Sequence, residues 1–113
     1  MAVMRMTVKS FSEIDGIKPL VLAEPERDIE GVYIGDLLSW VMGNAGSGDA
    51  WITIMSNINI LAVASLADVA CIVLSEDVSL DDEIIATANE KGINILSSEL
   101  STYETAILLN RFI

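Results

Sequence analysis

Histidine is absent from this 113-residue chain, and Cys71 is its one cysteine. Without histidine, neither a Ser-His triad nor a histidine-ligated metal can form. Cys71 stands inside the apolar run Ala70-Cys71-Ile72-Val73-Leu74, which suits a small core residue better than a redox thiol. Bases are scarce as well: six Lys plus Arg face 17 Asp plus Glu, for a formal net charge of −11. Nucleic-acid binding draws most of its affinity from cationic contacts, so this balance argues against direct DNA or RNA binding. Trp40 and Trp51, with no interleaved Arg or Lys, read as packing or interface residues rather than base-stacking platforms. Long apolar runs are missing too. The most apolar helix-like stretch, Ile58 to Ala67, is broken by Asn59 and Ser65 and falls well short of the roughly 18 residues of a membrane span. No basic segment followed by an apolar stretch and a small-residue cleavage site opens the chain, and a reduced cytoplasm is the simplest setting.

What is present is apolar and compactly patterned. Hydrophobic residues make up 52% of the chain and the mean hydropathy is +0.53. A single domain over residues 1–113 is expected, with roughly two thirds of the unfolded surface buried on folding. The acidic excess, gathered at Glu24 to Glu30 and Glu76 to Glu83, reads as a solvated surface that keeps such a chain soluble.

Strands and helices alternate along the sequence. Val8, Phe11 and Ile14 repeat at helical spacing after Thr7, and Gly16 stops that helix before the extended run Leu20-Val21-Leu22, bracketed by Pro19 and Pro25. Val32-Tyr33-Ile34 reads as a strand. Asp36 then stands where it can cap a helix with Leu37, Leu38, Val41 and Met42 on one side, ended by Gly43, Gly46 and Gly48. Trp51 to Ile54 has the β-branched and aromatic content of a strand, and Asn57 is placed to cap the next helix. In that helix Ile58, Ile60, Leu61, Val63, Ala64, Leu66 and Ala67 cover more than one stripe, which predicts burial on several sides, within the domain or against a second subunit. Ala70 to Leu74 is a continuous apolar strand of the kind found at the centre of parallel sheets. Ser79 and Asp82 resemble a capping box before Ile84, Ile85 and Ala88, with a stop at Gly92; Ile93 to Leu96 is a further strand. Ser101 and Glu104 have capping-box spacing and open a last helix with Ala106, Ile107, Leu108 and Phe112 to bury. This order predicts an α/β fold, a mostly parallel sheet of about five strands with helices on both faces.

The segment from Gly31 to Leu74 resembles the DRTGG domain family. The resemblance rests on Gly31 with Asp36-Leu37-Leu38-Ser39-Trp40-Val41-Met42, on Gly48-Asp49-Ala50-Trp51-Ile52-Thr53, and on Asn59-Ile60-Leu61-Ala62-Val63-Ala64. The name-giving element corresponds to Arg27-Asp28-Ile29-Glu30-Gly31, which keeps the acid and the last glycine but not the middle. The resemblance implies a three-layer α/β/α plan like that of the N-terminal, noncatalytic domain of HPr kinase/phosphorylase. It also implies a regulatory module of the kind found beside CBS-type domains.

No catalytic residue, metal site or cofactor is assigned. The glycines Gly43 to Gly48 are not a phosphate loop, because Asp49 and Ala50 stand where the lysine and hydroxyl would be. Asp81, Asp82 and Glu83 are consecutive and fan around a helix axis, as an acidic first turn does. One ligand reading stays open. Ser56, Asn57 and Asn59 lie where a parallel strand hands over to a helix, a place where anionic small molecules collect. Asp36 and Ser39 can line the same edge, but the plainer account is an Asn57 cap with Asn59 solvating the next turn, and capping and packing for Asp36 and Ser39. The function expected first is a nonenzymatic regulatory or ligand-sensing domain, acting as a homodimer in a prokaryotic signalling or metabolic-control system. The alternative is a docking adaptor that recruits a kinase, transcription regulator or metabolic enzyme as its signalling or metabolic partner. Neither a nucleic acid nor a membrane is an expected partner.

Overall fold

Right-handed crossovers place a connecting helix on a side of the sheet fixed by the direction of the step between strands. The computed structural model describes residues 5–113. Its strands are β1 (Ile17–Val21), β2 (Gly31–Ile34), β3 (Asp49–Thr53), β4 (Cys71–Leu74) and β5 (Ile95–Ser98). Its helices are α1 (Val8–Ser12), α2 (Leu38–Asn44), α3 (Asn59–Ala67), α4 (Asp82–Lys91) and α5 (Thr102–Asn110). The sheet order is β1-β5-β4-β3-β2, so each step from β2 to β5 moves one place in the same direction. Helices α2, α3 and α4 therefore share one face, and α1 and α5 cover the other. The result is the mostly parallel, three-layer α/β arrangement, with β1 antiparallel to β5 at one edge. Pro19 is tolerated because β1 is an edge strand, and the pairing is irregular between Pro19 and Val21.

Side-chain alternation along the strands divides the core in two. Trp51, Ile72, Leu74 and Ile95 point to the α2–α4 side, where they meet Val41, Ile60, Leu61, Ile84 and Ala88. Ala50, Ile52, Cys71, Val73 and Leu96 point the other way and meet Val8, Phe11 and Leu109. Strand β4 is buried at every position, as a central parallel strand requires. Burial pushes the Cys71 thiol up to about 12, which leaves it protonated and inert at neutral pH.

Several local expectations are corrected. Asp36 does not cap α2: Leu37 occupies the N-cap position without a side-chain bond, because the Asp36 carboxylate is turned toward β3. Only Val41 of α2 is buried, while Leu37 and Met42 are exposed, and the helix runs through Gly43 to Asn44. Within the domain α3 buries one face, through Ile60, Leu61, Val63 and Ala64, and leaves Ile58 and Leu66 exposed, so of the two expected sources of burial only a second subunit is left for these two residues. Ser79 and Asp82 form no capping box, since Asp81 is the N-cap of α4 and bonds nothing there. The box of Ser101 and Glu104 is present in both directions. Behind it, Thr105 and Leu109 (i, i+4) face the core, whereas Ile107 and Phe112 are exposed.

Candidate functional site

All parallel strands start at one end of the sheet and finish at the other, and the two ends are built differently. At the starting end, the segment before β2 is clasped to the end of α3. Arg27 donates to the Asp68 carboxylate at 2.9 Å and to the Asp68 carbonyl at 2.7 Å, and Ser47 donates to the same carboxylate at 2.6 Å. Asp68 closes α3 in the left-handed region at φ 58°, which aspartate tolerates better than most residues. Asp28 pairs with Arg5, and Asp49 accepts from Gly46 N at 2.7 Å. Gly48 adopts the left-handed backbone, φ 83°, that favours glycine, whereas a Cβ at Gly31 would meet only the movable end of the Asp49 side chain. This end holds the chain together around a recess of about 190 Å³ whose lining includes Arg27, Asp68, Lys91 and Asn94.

The hydrogen bonds from Arg27 and then Ser47 hold the Asp68 carboxyl below its ordinary value of 3.8. A depressed folded value adds stability that is present above the ordinary carboxylate value and is lost as pH falls through the folded one. Asp68→Asn keeps an acceptor and the tolerance for left-handed backbone but lacks the charge. Its melting temperature should lie below that of the parent at neutral pH, and the gap should close as pH falls below 3.8. A gap of constant size across that range would exclude the ion pair as its cause.

At the finishing end the strands hand over to α2, α3 and α4. Trp51, fully buried, donates from Nε1 to the Gly35 carbonyl at 2.9 Å and so fixes the turn that follows β2. Asp36, next in that turn, accepts from Thr53 Oγ1 at 2.8 Å and from Ile54 N at 3.0 Å, which pins the end of β3. Asn57 Oδ1 accepts from Asn59 N at 2.9 Å and so satisfies one of the free donors that open α3, with Ile58 already in helical conformation. Farther along the same edge, Ser75 Oγ meets Thr102 Oγ1 at 2.7 Å, and Glu76 accepts from Thr102 N at 2.8 Å.

Between the openings of α3 and α4 lies a cleft of about 640 Å³, lined by Ile54, Met55, Ser56, Asn57, Ile58, Asp81, Glu83 and Ile84. It has the size and place of a small-molecule site, outside the carboxyl ends of parallel strands. Ser56 and Asn57 form one wall. Asn59, Asp36 and Ser39 do not line it: the Asn59 N–H is taken by Asn57, the Asp36 carboxylate braces β3, and Ser39 is exposed on the first turn of α2. The opposite wall brings Asp81 and Glu83, which the sequence reading assigned to the helix start alone. The cleft thus sets two carboxylates on one wall against Ser56 and Asn57, at the opening of α3, on the other. No group of three or more His, Cys, Asp or Glu among the described residues is arranged to hold a metal. Nor is any helix among them long and apolar enough to cross a membrane.

Residues 23–112 match the DRTGG domain. No curated protein matches the chain. Among solved structures, the chain is similar to the CBS and DRTGG domains of the regulatory region of Clostridium perfringens pyrophosphatase, crystallised with the activator diadenosine tetraphosphate. That likeness has a TM-score of 0.70 at 15% identity and covers 96% of this chain and 50% of the other. At this identity the likeness is one of fold, and the chain spans about half the length of that regulatory region.

Proposed function

This chain belongs to the DRTGG domain family, and we propose that it is a nonenzymatic, ligand-sensing regulatory domain whose sensor site is the cleft between α3 and α4. The observation that carries this reading is the cleft itself, a small-molecule-sized space at the end of the sheet where such ligands bind. Its chemistry selects the ligand class. A bare polyanion would meet Asp81 and Glu83, so the ligand carries an anionic group toward Ser56 and Asn57 and a positive one toward the two acids. A magnesium-complexed nucleotide meets that description, as does an amino acid or other zwitterion. The regulatory region complexed with diadenosine tetraphosphate, half of which this chain resembles in fold, favours a phosphorylated ligand among these.

In this reading the domain works as a homodimer in the cytoplasm of a prokaryote and turns over no substrate. It lacks the histidine and the phosphate loop on which many phosphoryl-transfer sites rely. The adaptor reading, in which a kinase, transcription regulator or metabolic enzyme docks without any ligand, is separated from it by one experiment. A panel of nucleotides with and without magnesium, together with zwitterionic metabolites, is titrated into the domain by calorimetry. Saturable binding by one class supports the sensor. A flat response across the panel, with partner capture that no small molecule alters, supports the adaptor instead.

A further inference from the structure

We propose that the outer face of α2 and α3 is the surface on which a second copy of this chain docks. This rests on the homodimer just proposed and assigns it a face. Helices α2 and α3 pack side by side on the sheet, and their outer sides expose Leu37 and Trp40 (65% each), Ile58 (47%) and Leu66 (71%). Ile58, Ala62 and Leu66 stand at i, i+4 and i+8 and form one exposed stripe along α3. Solvent-facing leucine and tryptophan in such a row cost free energy until covered.

Charge decides what covers them. The chain carries −11, yet residues 37–67 contain a single charged side chain, Asp49, which lies at the start of β3 away from this face. A two-fold dimer brings one patch against its own copy, so an acidic patch would face an acidic patch. The outer residues of the α2–α3 face are uncharged, and the neighbouring carboxylates, Asp36, Asp68 and the cleft's Asp81 and Glu83, flank it rather than cover it. A basic partner would be drawn to the acids of 24–30 and 76–83 instead. An anionic membrane would repel the chain, and this face offers it no Lys or Arg. The second apolar groove, between β2 and α5, is lined by Val32, Tyr33, Ile34, Tyr103, Ala106 and Ile107, but it lies on the helix that carries Glu104. Ile54 and Ile58 are both exposed and belong to the cleft's lining, so a partner seated on α3 adjoins the ligand site.

The test is light scattering behind size exclusion at micromolar protein, on the parent chain, Leu66→Glu, Leu66→Lys and Ile107→Glu. The parent should read twice the chain mass of 12.2 kDa. Both Leu66 variants should read one chain mass, because a lone charge of either sign is costly inside an apolar interface. The lysine variant also lowers the net negative charge, so its dissociation cannot come from long-range repulsion. Ile107→Glu should remain dimeric. Trp40→Ala adds no charge and should raise the dimer dissociation constant at least about tenfold, which tests the face should a Leu66 variant fail to fold. Dimeric Leu66 variants or an unchanged Trp40→Ala dimer would overturn the assignment of the face, as would dissociation by Ile107→Glu alone. A monomeric parent would remove the homodimer itself while leaving the ligand site untouched.

Discussion

Trp51→Ala should cost about 3–5 kcal/mol of folding stability, the range for deleting a large aromatic side chain from a packed core. Trp51 is fully buried between β3 and the α2–α3 layer, and its indole N–H is bonded to the Gly35 carbonyl. Domains are stable by only about 5–15 kcal/mol, so this single change removes about a fifth or more of the total. Urea denaturation checks it, with Tyr103→Ala as the control. Tyr103 is 74% exposed, and its loss should stay within about 0.5 kcal/mol. Trp51→Phe keeps most of the volume but loses the donor, and should fall between the two. A Trp51→Ala variant as stable as the Tyr103 control would contradict the packing described. The effect reaches the site as well, because the Gly35 turn that Trp51 holds positions Asp36, which in turn pins the end of β3 beside the cleft.

Asn57→Asp should leave the melting temperature close to that of the parent while weakening the ligand at least about tenfold, a change of about 1.4 kcal/mol. Aspartate caps a helix as well as asparagine and favours its positive end, so the bond to Asn59 N survives. The new carboxylate, however, stands on the wall assigned to the anionic group and leaves the cleft acidic on both sides. Asn57→Ala separates the two roles, since it adds no charge but loses the acceptor and should cost about 0.5–2 kcal/mol of stability. Calorimetry with the ligand found in the panel reads the affinity. Unchanged affinity for Asn57→Asp at an unchanged melting temperature would make Asn57 a cap and nothing more.

The architecture was legible where one physical signal dominated. The unbroken apolar run of Ala70 to Leu74 announced a central parallel strand, and Ser101 with Glu104 announced a helix start that proved reciprocal. Legibility failed where a polar residue had two partners to choose from. Asp36 has the type and spacing of a cap, but the chain end of β3 offers it two donors, and only the folded sheet brings these within reach. Asn94, inside the apolar run Ile93 to Leu96, carries no signal of its role in the sequence. It is buried and holds three backbone groups, accepting from Glu24 N and donating to the carbonyls of Glu24 and Ala70, contacts that span 70 and 24 positions of sequence. The turn after β4 was also silent, because Glu76 and Asp77 both adopt left-handed backbone without a glycine to mark it.

The two tryptophans show a related limit. Trp40 and Trp51 look alike in composition, yet Trp51 is fully buried because it points from the interior strand β3 into the helix layer, while Trp40 is 65% exposed on the side of α2 away from the core. Half of the cleft's lining was legible in the sequence. Ser56 and Asn57 follow from the rule that sites collect where parallel strands end, whereas Asp81 and Glu83 come from the next crossover. They join the cleft only because β3 and β4 are neighbours and α3 and α4 lie on the same face. An acidic first turn explained both residues locally, and nothing in their spacing pointed across the sheet.

The most direct measurement of a sensor site between α3 and α4 is an amide NMR titration of the isotopically labelled chain with the nucleotide and zwitterion panel, in the presence and absence of magnesium. Saturable shifts confined to residues 54–58 and 81–84, from a ligand that needs either magnesium or its own positive group, are the expected result. Saturable shifts that gather instead at the groove of β2 and α5, or no saturable shift from any member of the panel, would contradict it.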